Sequence, residues 1–299
     1  MILVVGGTGQ VGRQIVELLR RQGSRTRVLT RDPAGASLSR VDGVEIVVGD
    51  LLQRDSLVAA LDGVEVVICT AHGGHGSRAD GPRGIEGRGL PQLVEVARDY
   101  ALKQFVYLST ASARADSPSD FFRRKAHVEA ALRSSGVPHS ILRPTHLLDT
   151  WVPMLAEPLV TKSRAMIIGK GNNPVSWVAG RDIAQAAVAL AGETGSGYTA
   201  ELGGPDALTL RQLNGLVEQA LRISPKRTSV MSPGMLRAGS RMVRPFNELM
   251  ARQMRLGALL DTLPQVVDSA VAWRRLGLIP STVAGWLDAN LTELAARWA

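Results

Sequence analysis

The chain has 299 residues, 45% of them hydrophobic and 21% charged, which is enough for a large core in one or two domains. No apolar run is long enough to span a bilayer, and Cys69 is the only cysteine, which excludes an intrachain disulfide and fits a cytoplasmic protein. The formal net charge of +8 suits an anionic partner, but scattered arginines and few aromatic residues (4%) favour a small anionic ligand over nucleic acid.

The first predicted elements are a strand over residues 2–5, a glycine-rich turn over residues 6–12 and a helix. The turn has the spacing GxxGxxG. In such a turn Gly6 allows a tight bend, Gly9 lets the backbone approach a pyrophosphate, and Gly12 lets the helix pack close to the strand. Because free amides at a helix N-terminus attract anions, the pattern predicts a dinucleotide site, with a plain structural turn as the alternative.

A second strand is predicted over residues 25–30, and Arg31, Asp32 and Pro33 follow it. In a dinucleotide fold the end of this strand meets the adenosine ribose, where an acidic residue favours NAD. The hydroxyl of Thr30 and the guanidinium of Arg31 suit a 2′-phosphate instead, since arginine can hold it with two charge-assisted hydrogen bonds. This pair predicts NADP(H), although Asp32 follows directly and a solvated Arg31 in a turn is the alternative.

Strands and helices alternate through the following hundred residues. The predicted strands cover residues 44–48, 64–70, 105–108 and 137–142, and the predicted helices cover residues 55–61, 91–101 and 121–132. This alternation predicts an α/β fold with a doubly wound parallel sheet. Asp50, after the third strand, is placed to accept a hydrogen bond from an adenine amino group. His72 and His75 lie in a glycine-rich loop without a matching metal-ligand cluster, so we expect no metal and a loop that borders the cofactor or the substrate opening.

Several motifs together resemble the short-chain dehydrogenase/reductase superfamily, most closely its atypical, NmrA-like branch with isoflavone-reductase-type and quinone-reductase-type enzymes. They are GGTGQVG, the TRDP turn, GDL, FVYLSTAS, KAHVEAALRSSGVPHSILRPT, WVAGRDIAQAA and GGPDALTL, which cover most of residues 1–210 in the expected order. The resemblance implies a Rossmann fold with NAD(P) lying across residues 6–12.

The resemblance also implies roles for residues beyond the glycine-rich turn. It places the adenine contact at Asp50, loop contacts at Thr70 and Ala71, the ribose-binding lysine at Lys125, and nicotinamide contacts at Pro144 and Thr145. With the residues named above, the expected cofactor contacts are Gly6, Thr8, Gly9, Gln10, Val11, Gly12, Thr30, Arg31, Asp50, Leu51, Thr70, Ala71, Lys125, Pro144 and Thr145.

The superfamily's catalytic tyrosine is missing from this sequence. The tyrosine stands four residues before the lysine, and here that position is Phe121, which cannot donate a proton. The resemblance puts the Ser/Thr of the catalytic triad at Thr110. The remaining catalytic candidates are Lys125, with Ser112 and His146 as reserve donors, and a phenol on the substrate itself.

The predicted Rossmann core covers residues 1–146, with residues 174–205 rejoining it. Residues 147–173 and 206–299 are expected to form a smaller, mainly helical substrate-binding region, interrupted by Pro153 and Pro158. Within it, residues 231–260 are rich in methionine and arginine, which predicts either a helix that caps the core or a lid over an apolar substrate.

Two functions remain open from the sequence. The first is an NADP(H)-dependent oxidoreductase, a carbonyl (ketone or quinone) reductase acting on a small apolar or aromatic substrate such as a polyketide. The second is a non-catalytic, redox-sensing regulator of the NmrA type, which the missing tyrosine favours. A nucleotide-sugar epimerase is a weaker alternative, because such enzymes usually need the tyrosine. We expect a monomer or homodimer.

Overall fold

The computed structural model describes residues 1–33, 43–195, 197–259, 261–263 and 265–298. The described strands are β1 Ile2–Val5, β2 Thr26–Thr30, β3 Val44–Val48, β4 Val66–Cys69, β5 Gln104–Leu108, β6 His139–Pro144, β7 Arg164–Ile168, β8 Pro174–Ser176, β9 Tyr198–Leu202, β10 Ala207–Thr209 and β11 Arg227–Met231. The described α-helices are α1 Gln10–Arg21, α2 Arg54–Leu61, α3 Leu90–Ala97, α4 Asp120–Ser134, α5 Leu148–Lys162, α6 Gly180–Ala191, α7 Leu210–Leu221, α8 Pro233–Val243, α9 Glu248–Leu259, α10 Ala270–Leu276 and α11 Val283–Ala296. Within these ranges no helix is long and apolar enough to cross a membrane.

The chain folds into two compact units. The first comprises Met1–Pro144, Gly180–Glu201 and Ala272–Leu278, and the second comprises Thr145–Ala179, Leu202–Val271 and Ile279–Ala299. The predicted return of residues 174–205 to the main sheet is therefore only partly right. β9 joins that sheet, but residues 174–179 belong to the second unit, because β8 pairs there with β10 in a small antiparallel sheet.

A seven-stranded sheet with the order β3-β2-β1-β4-β5-β6-β9 organises the first unit. The pairings from β1 to β6 are parallel, with Ile2 opposite both Thr26 of β2 and Val66 of β4. This confirms the predicted Rossmann-like fold. The strand order reverses between β1 and β4, and in open α/β sheets ligands bind outside the carboxyl ends of the strands at such a point.

Both faces of this sheet are covered, which explains the continuous apolar runs of its strands. On one face, β1 packs into a core whose buried members include Leu3, Val5, Leu57 of α2, Leu93 of α3 and Val128 of α4. Successive residues of a strand point to opposite faces, so Val4 faces the other layer, where α1 and α6 pack together. α1 lies on the sheet through its buried Ile15 and Leu19.

The second unit is built from α-helices and two strand pairs. β7 pairs with β11 in parallel and β8 with β10 antiparallel. The prediction that Pro153 and Pro158 interrupt the helical region is wrong, because both residues lie inside the continuous helix α5. Its buried face, which includes Val152 and Leu155, packs into the core of this unit, and that packing outweighs the backbone hydrogen bonds lost at the prolines.

The methionine- and arginine-rich segment forms α8 and α9, which pack against each other. Leu236 and Ala251 are buried, whereas Met235 and Met242 are largely exposed. The two predicted roles, a cap or a lid, both stay predictions.

Candidate cofactor and active site

The glycine-rich turn after β1 forms a tight backbone cradle. Gly6 has a φ of +87°, a conformation that strongly favours glycine, and the amide of Gly9 donates to the carbonyl oxygen of Gly6 at 3.0 Å. A Cβ atom at Gly12 would lie 2.1 Å from that same oxygen, so α1 can approach the turn only with glycine there. A Cβ at Gly9 would meet only the Gly6 oxygen, at 3.3 Å, which leaves the rest of its surroundings open to a ligand.

The N-terminus of α1 carries no side-chain cap and no acidic residue in its first turn. Its first residue, Gln10, is exposed, and Val11 is buried against the sheet. The carbonyl of Thr8 accepts a hydrogen bond from Arg13 at 2.9 Å, which brings a guanidinium close to the turn. The amides of a first helical turn, the positive end of the helix dipole and a nearby cation together fit a pyrophosphate, so the chain has the cradle that a dinucleotide cofactor requires.

The end of β4 contributes a second wall to the cradle. The amide of Thr70 donates to the Val5 carbonyl at 2.8 Å, and its hydroxyl donates to the Gly6 carbonyl at 3.1 Å. A Cβ at Gly6 would lie 2.6 Å from the amide nitrogen of Ala71. Thr70 and Ala71, predicted as loop contacts, are therefore brought directly against the predicted pyrophosphate turn.

The predicted adenosine contacts follow β2 and β3. One carboxylate oxygen of Asp50 accepts from the amide of Leu52 at 2.9 Å, which fixes the side chain for a contact through its other oxygen. Leu51 packs into the hydrophobic core, so its side chain is not available to the cofactor. The hydroxyl of Thr30 bonds with the backbone of Asp32 at 3.3 Å.

Arg31 does not stand free beside the predicted ribose site. Its guanidinium forms an ion pair with the carboxylate of Asp80, and both side chains are about half exposed. Asp80 lies in a short 3-10 turn, Arg78–Asp80. A 2′-phosphate would therefore share Arg31 with this carboxylate.

Lys125 is buried on α4 and holds the end of β5. Its side chain is 4% exposed, and its ammonium donates to the carbonyl of Leu108 at 3.0 Å and lies 4.9 Å from the centroid of the Tyr107 ring. A carboxylate oxygen of Glu86 lies 3.9 Å from it. Burial lowers the pKa of Lys125, and the negative charge of Glu86 opposes that shift.

Glu86 was not anticipated from the sequence. It lies in a π-helical segment, Ile85–Gly89, that precedes α3, and it is fully buried. Both of its carboxylate oxygens lie 3.1 Å from the amide of Gly73, so it also holds the loop after β4. No sequence signal marks it, because a glutamate among glycines is normally a solvated loop residue.

The Ser/Thr candidates lie just beyond β5. The amide of Ala111, between Thr110 and Ser112, donates to the carbonyl of Pro144 at 2.9 Å, which ties the ends of β5 and β6 together. Thr110 and Ser112 are both half-buried. The first unit thus brings Thr110, Ser112, Lys125 and Pro144 to the carboxyl ends of neighbouring strands.

Thr145 and His146 belong to the second unit. The hydroxyl of Thr145 donates to the carbonyl of Ser176, so it is already used within that unit. The His146 ring packs against Trp151 and Trp177, with centroid distances of 5.4 and 5.9 Å. Burial lowers the pKa of His146 to about 4, although a hydrogen bond with Gln265 opposes the shift. His146 is therefore neutral near pH 7 and offers a hydrogen bond rather than an acidic proton.

Phe121, which the sequence resemblance aligns with the superfamily's tyrosine, packs beside Lys125 and the loop after β4. Its ring centroid lies 5.9 Å from the Lys125 ammonium and 6.3 Å from the centroid of the His72 ring. The structure thus places the side chains of His72 and Lys125 on either side of Phe121.

Comparisons with known proteins identify the family of this chain. Residues 6–194 match the family of NAD(P)H-binding proteins, so the chain belongs to that family. Within it, the chain is an atypical member of the short-chain dehydrogenase/reductase superfamily.

Two relatives and one solved structure are similar to this chain over most or all of its length. An NAD(P)H azoreductase from Xenophilus azovorans is 29% identical, over 89% of this chain and 92% of that protein. The (4-alkanoyl-5-oxo-2,5-dihydrofuran-3-yl)methyl phosphate reductase of Streptomyces griseus is 32% identical, over 74% of each chain. The NADPH complex of an Escherichia coli NADPH-dependent quinone oxidoreductase shares the fold, with a TM-score of 0.77, 20% identity and full coverage of both chains. These relatives place the chain among NAD(P)H-dependent oxidoreductases.

Proposed function

We propose that this protein is an NADPH-dependent reductase of carbonyl compounds, with an aromatic ketone or quinone as acceptor. The observation that carries the proposal is the glycine cradle at the uncapped N-terminus of α1, walled by Thr70 and Ala71. The named activities of the azoreductase and furanone-phosphate reductase relatives support a reductase over an epimerase.

The cofactor contacts are proposed as follows. The pyrophosphate lies on residues 6–12, the adenine amino group bonds to Asp50, and the 2′-phosphate bonds to Thr30 and Arg31. Pro144 faces the nicotinamide. The preference for NADPH over NADH rests on Arg31, since its guanidinium keeps donors besides those engaged by Asp80.

Bound NADPH would supply a hydride to the acceptor carbon. The chain must then orient the acceptor and stabilise the charge that develops on its oxygen. Thr110 and Ser112 are proposed as hydroxyl donors to that oxygen. Lys125 is proposed to add positive charge and to hold the ribose hydroxyls.

The test is a pair of measurements on the purified protein. Calorimetric titration with NADPH and NADH measures binding, and NADPH oxidation with a panel of quinones and aromatic ketones measures turnover. We expect tight NADPH binding and turnover with at least one acceptor, and Thr110→Ala should lower kcat more than it weakens NADPH binding. Tight binding without turnover for any acceptor would contradict the reductase and support the NmrA-type sensor.

A further inference from the structure

His72 lies next to the residues that wall the cofactor cradle. It follows Thr70 and Ala71 directly, beyond the carboxyl end of β4. β4 and β1 flank the point where the strand order reverses, and ligands of open α/β sheets bind in the crevice there. A side chain at this position is therefore close to any dinucleotide held by the cradle.

The same side chain contacts the position of the missing tyrosine. The ring of His72 lies edge-to-face against Phe121, with a centroid distance of 6.3 Å and an interplanar angle of 61°. Phe121 in turn lies beside the ammonium of Lys125. His72 thus stands between the cradle and the place where the superfamily carries its proton donor.

The loop around His72 fixes which ring nitrogen carries hydrogen. The amide of Gly74 donates to Nδ1 of His72 at 3.1 Å, so Nδ1 is the acceptor and the neutral ring carries its hydrogen on Nε2. Among the described residues, none makes a hydrogen bond with Nε2. The buried carboxylate of Glu86 holds the neighbouring amide of Gly73 and so anchors the loop.

His72 is neutral at ordinary pH. The residue as a whole is exposed to solvent, but nearby protein atoms desolvate the ring, and this desolvation, together with the charges of Lys125 and His75, lowers the pKa of His72 to about 3. A neutral imidazole donates a strong hydrogen bond but does not readily give up its proton.

We propose that His72 replaces the missing tyrosine as the hydrogen-bond donor to the substrate oxygen. This rests on the proposed reductase function. The hydride from NADPH forms the new C–H bond, NADP⁺ is left, and the π electrons of the C=O bond move onto the oxygen. Nε2–H of His72 bonds to this oxyanion, which then takes its proton from water at the exposed edge of the site and leaves hydroxide. His72 stays neutral throughout.

The first test is turnover. Removing one oxyanion donor typically lowers kcat by about a hundred- to a thousandfold, so His72→Phe should lose on that order while NADPH affinity changes less than about twofold. His72→Gln, which keeps an N–H donor, should lose less. His127→Phe is the matched control, because His127 is exposed on α4, and it should behave as the wild type. Wild-type turnover in His72→Phe would overturn the proposal.

A rescue experiment separates a donor from a merely structural residue. Phe121→Tyr places a phenol where the superfamily has one, so in the His72→Phe background it should restore at least about tenfold of the lost rate. In the wild-type background it should change the rate little, because a donor is already present. A loss that Phe121→Tyr does not repair at all would contradict the assignment.

A binding measurement keeps this proposal distinguishable from the reductase function. 4-Nitrophenolate mimics the oxyanion, and its affinity for the NADP⁺ complex can be measured by calorimetry without turnover. We expect His72→Phe to weaken it by about tenfold or more and His127→Phe to leave it unchanged. Absence of turnover with any acceptor would contradict the reductase function, while the phenolate measurement would still test whether His72 contacts a bound oxyanion. Equal phenolate affinity in wild type and His72→Phe, or no binding by the wild type, would sink the donor role of His72.

Discussion

The ion pair between Glu86 and Lys125 should be one of the strongest pairwise interactions in the first unit. Both side chains are buried, with Nζ of Lys125 3.9 Å from a Glu86 oxygen. At an effective dielectric constant of about 20, two unit charges at this distance attract by about 4 kcal/mol. Removing one member leaves the other charge buried without its partner, which typically costs about 3–5 kcal/mol.

A double-mutant cycle isolates this interaction. Glu86→Gln removes the charge but keeps an oxygen that can accept from the Gly73 amide, and Lys125→Met keeps the length of the side chain. We expect each single variant to lower the free energy of unfolding by about 3–5 kcal/mol. The double variant should lose less than the sum by about 2–4 kcal/mol, the coupling that the Coulomb attraction predicts.

The assay is urea unfolding followed by far-ultraviolet circular dichroism. The matched control is the cycle of Arg54 and Glu95, an exposed pair at 3.1 Å, for which the coupling should stay below about 1 kcal/mol. A Glu86–Lys125 coupling as small as that of the control pair would refute the argument, because it would show that the two charges are screened and do not interact across a buried medium.

Three further predictions concern the cofactor site and the core. Gly9→Val puts a branched side chain where a pyrophosphate should lie, so calorimetry should show NADPH binding lost while circular dichroism shows the fold retained. Arg31→Ala should weaken NADPH binding by about ten- to a hundredfold, the value of one charge-assisted hydrogen bond, and should barely affect NADH binding. Asp80→Asn should strengthen NADPH binding, because it removes the carboxylate that pairs with Arg31. Equal effects of Arg31→Ala on both cofactors would contradict a selective role of Arg31. Burial raises the pKa of the Cys69 thiol to about 12, whereas the unfolded thiol ionises near about 8.5. Between these values the folded state keeps a proton that the unfolded state has lost, so the free energy of unfolding should fall with rising pH, by up to about 1.4 kcal/mol per pH unit, and Cys69→Ala should flatten that slope.

The parallel sheet could be predicted from the sequence because its strands are buried on both faces. β1 and β4 are continuous apolar runs, and such runs are visible without any knowledge of their neighbours. β11 was missed for the opposite reason. Its sequence, RTSVM, is largely polar and exposed, and it is a strand only because it pairs with β7, which lies far earlier in the chain. Non-local pairing of this kind leaves no local pattern.

The same distinction between local patterns and non-local contacts applies to the residues of the candidate site. Gly6 and Gly12 could be identified because each meets a local steric demand that shows in the spacing. The ion-pair partners of the charged residues could not be identified from the sequence. Arg31 pairs with Asp80, which is 49 residues away in the chain, and Lys125 pairs with Glu86, which is 39 residues away. Whether a charge is solvated, paired or buried depends on the fold, and the fold decides which donors remain for a ligand.

Under the proposed function, a phenylalanine at position 121 also predicts which acceptors would be reduced. General acid catalysis typically contributes about a hundred- to ten-thousandfold in rate, and a neutral hydrogen-bond donor supplies about a hundred- to a thousandfold. An unactivated ketone yields a localised alkoxide, which needs the missing acid most. A quinone that takes the hydride at a ring carbon conjugated with its carbonyl group yields an enolate whose charge is delocalised, and this anion needs no proton at the moment of hydride transfer. We therefore expect kcat/KM for 1,4-naphthoquinone to exceed that for acetophenone by at least about a hundredfold, measured by NADPH oxidation. Equal rates for the two acceptors in the wild type would show that a proton donor as effective as tyrosine is present.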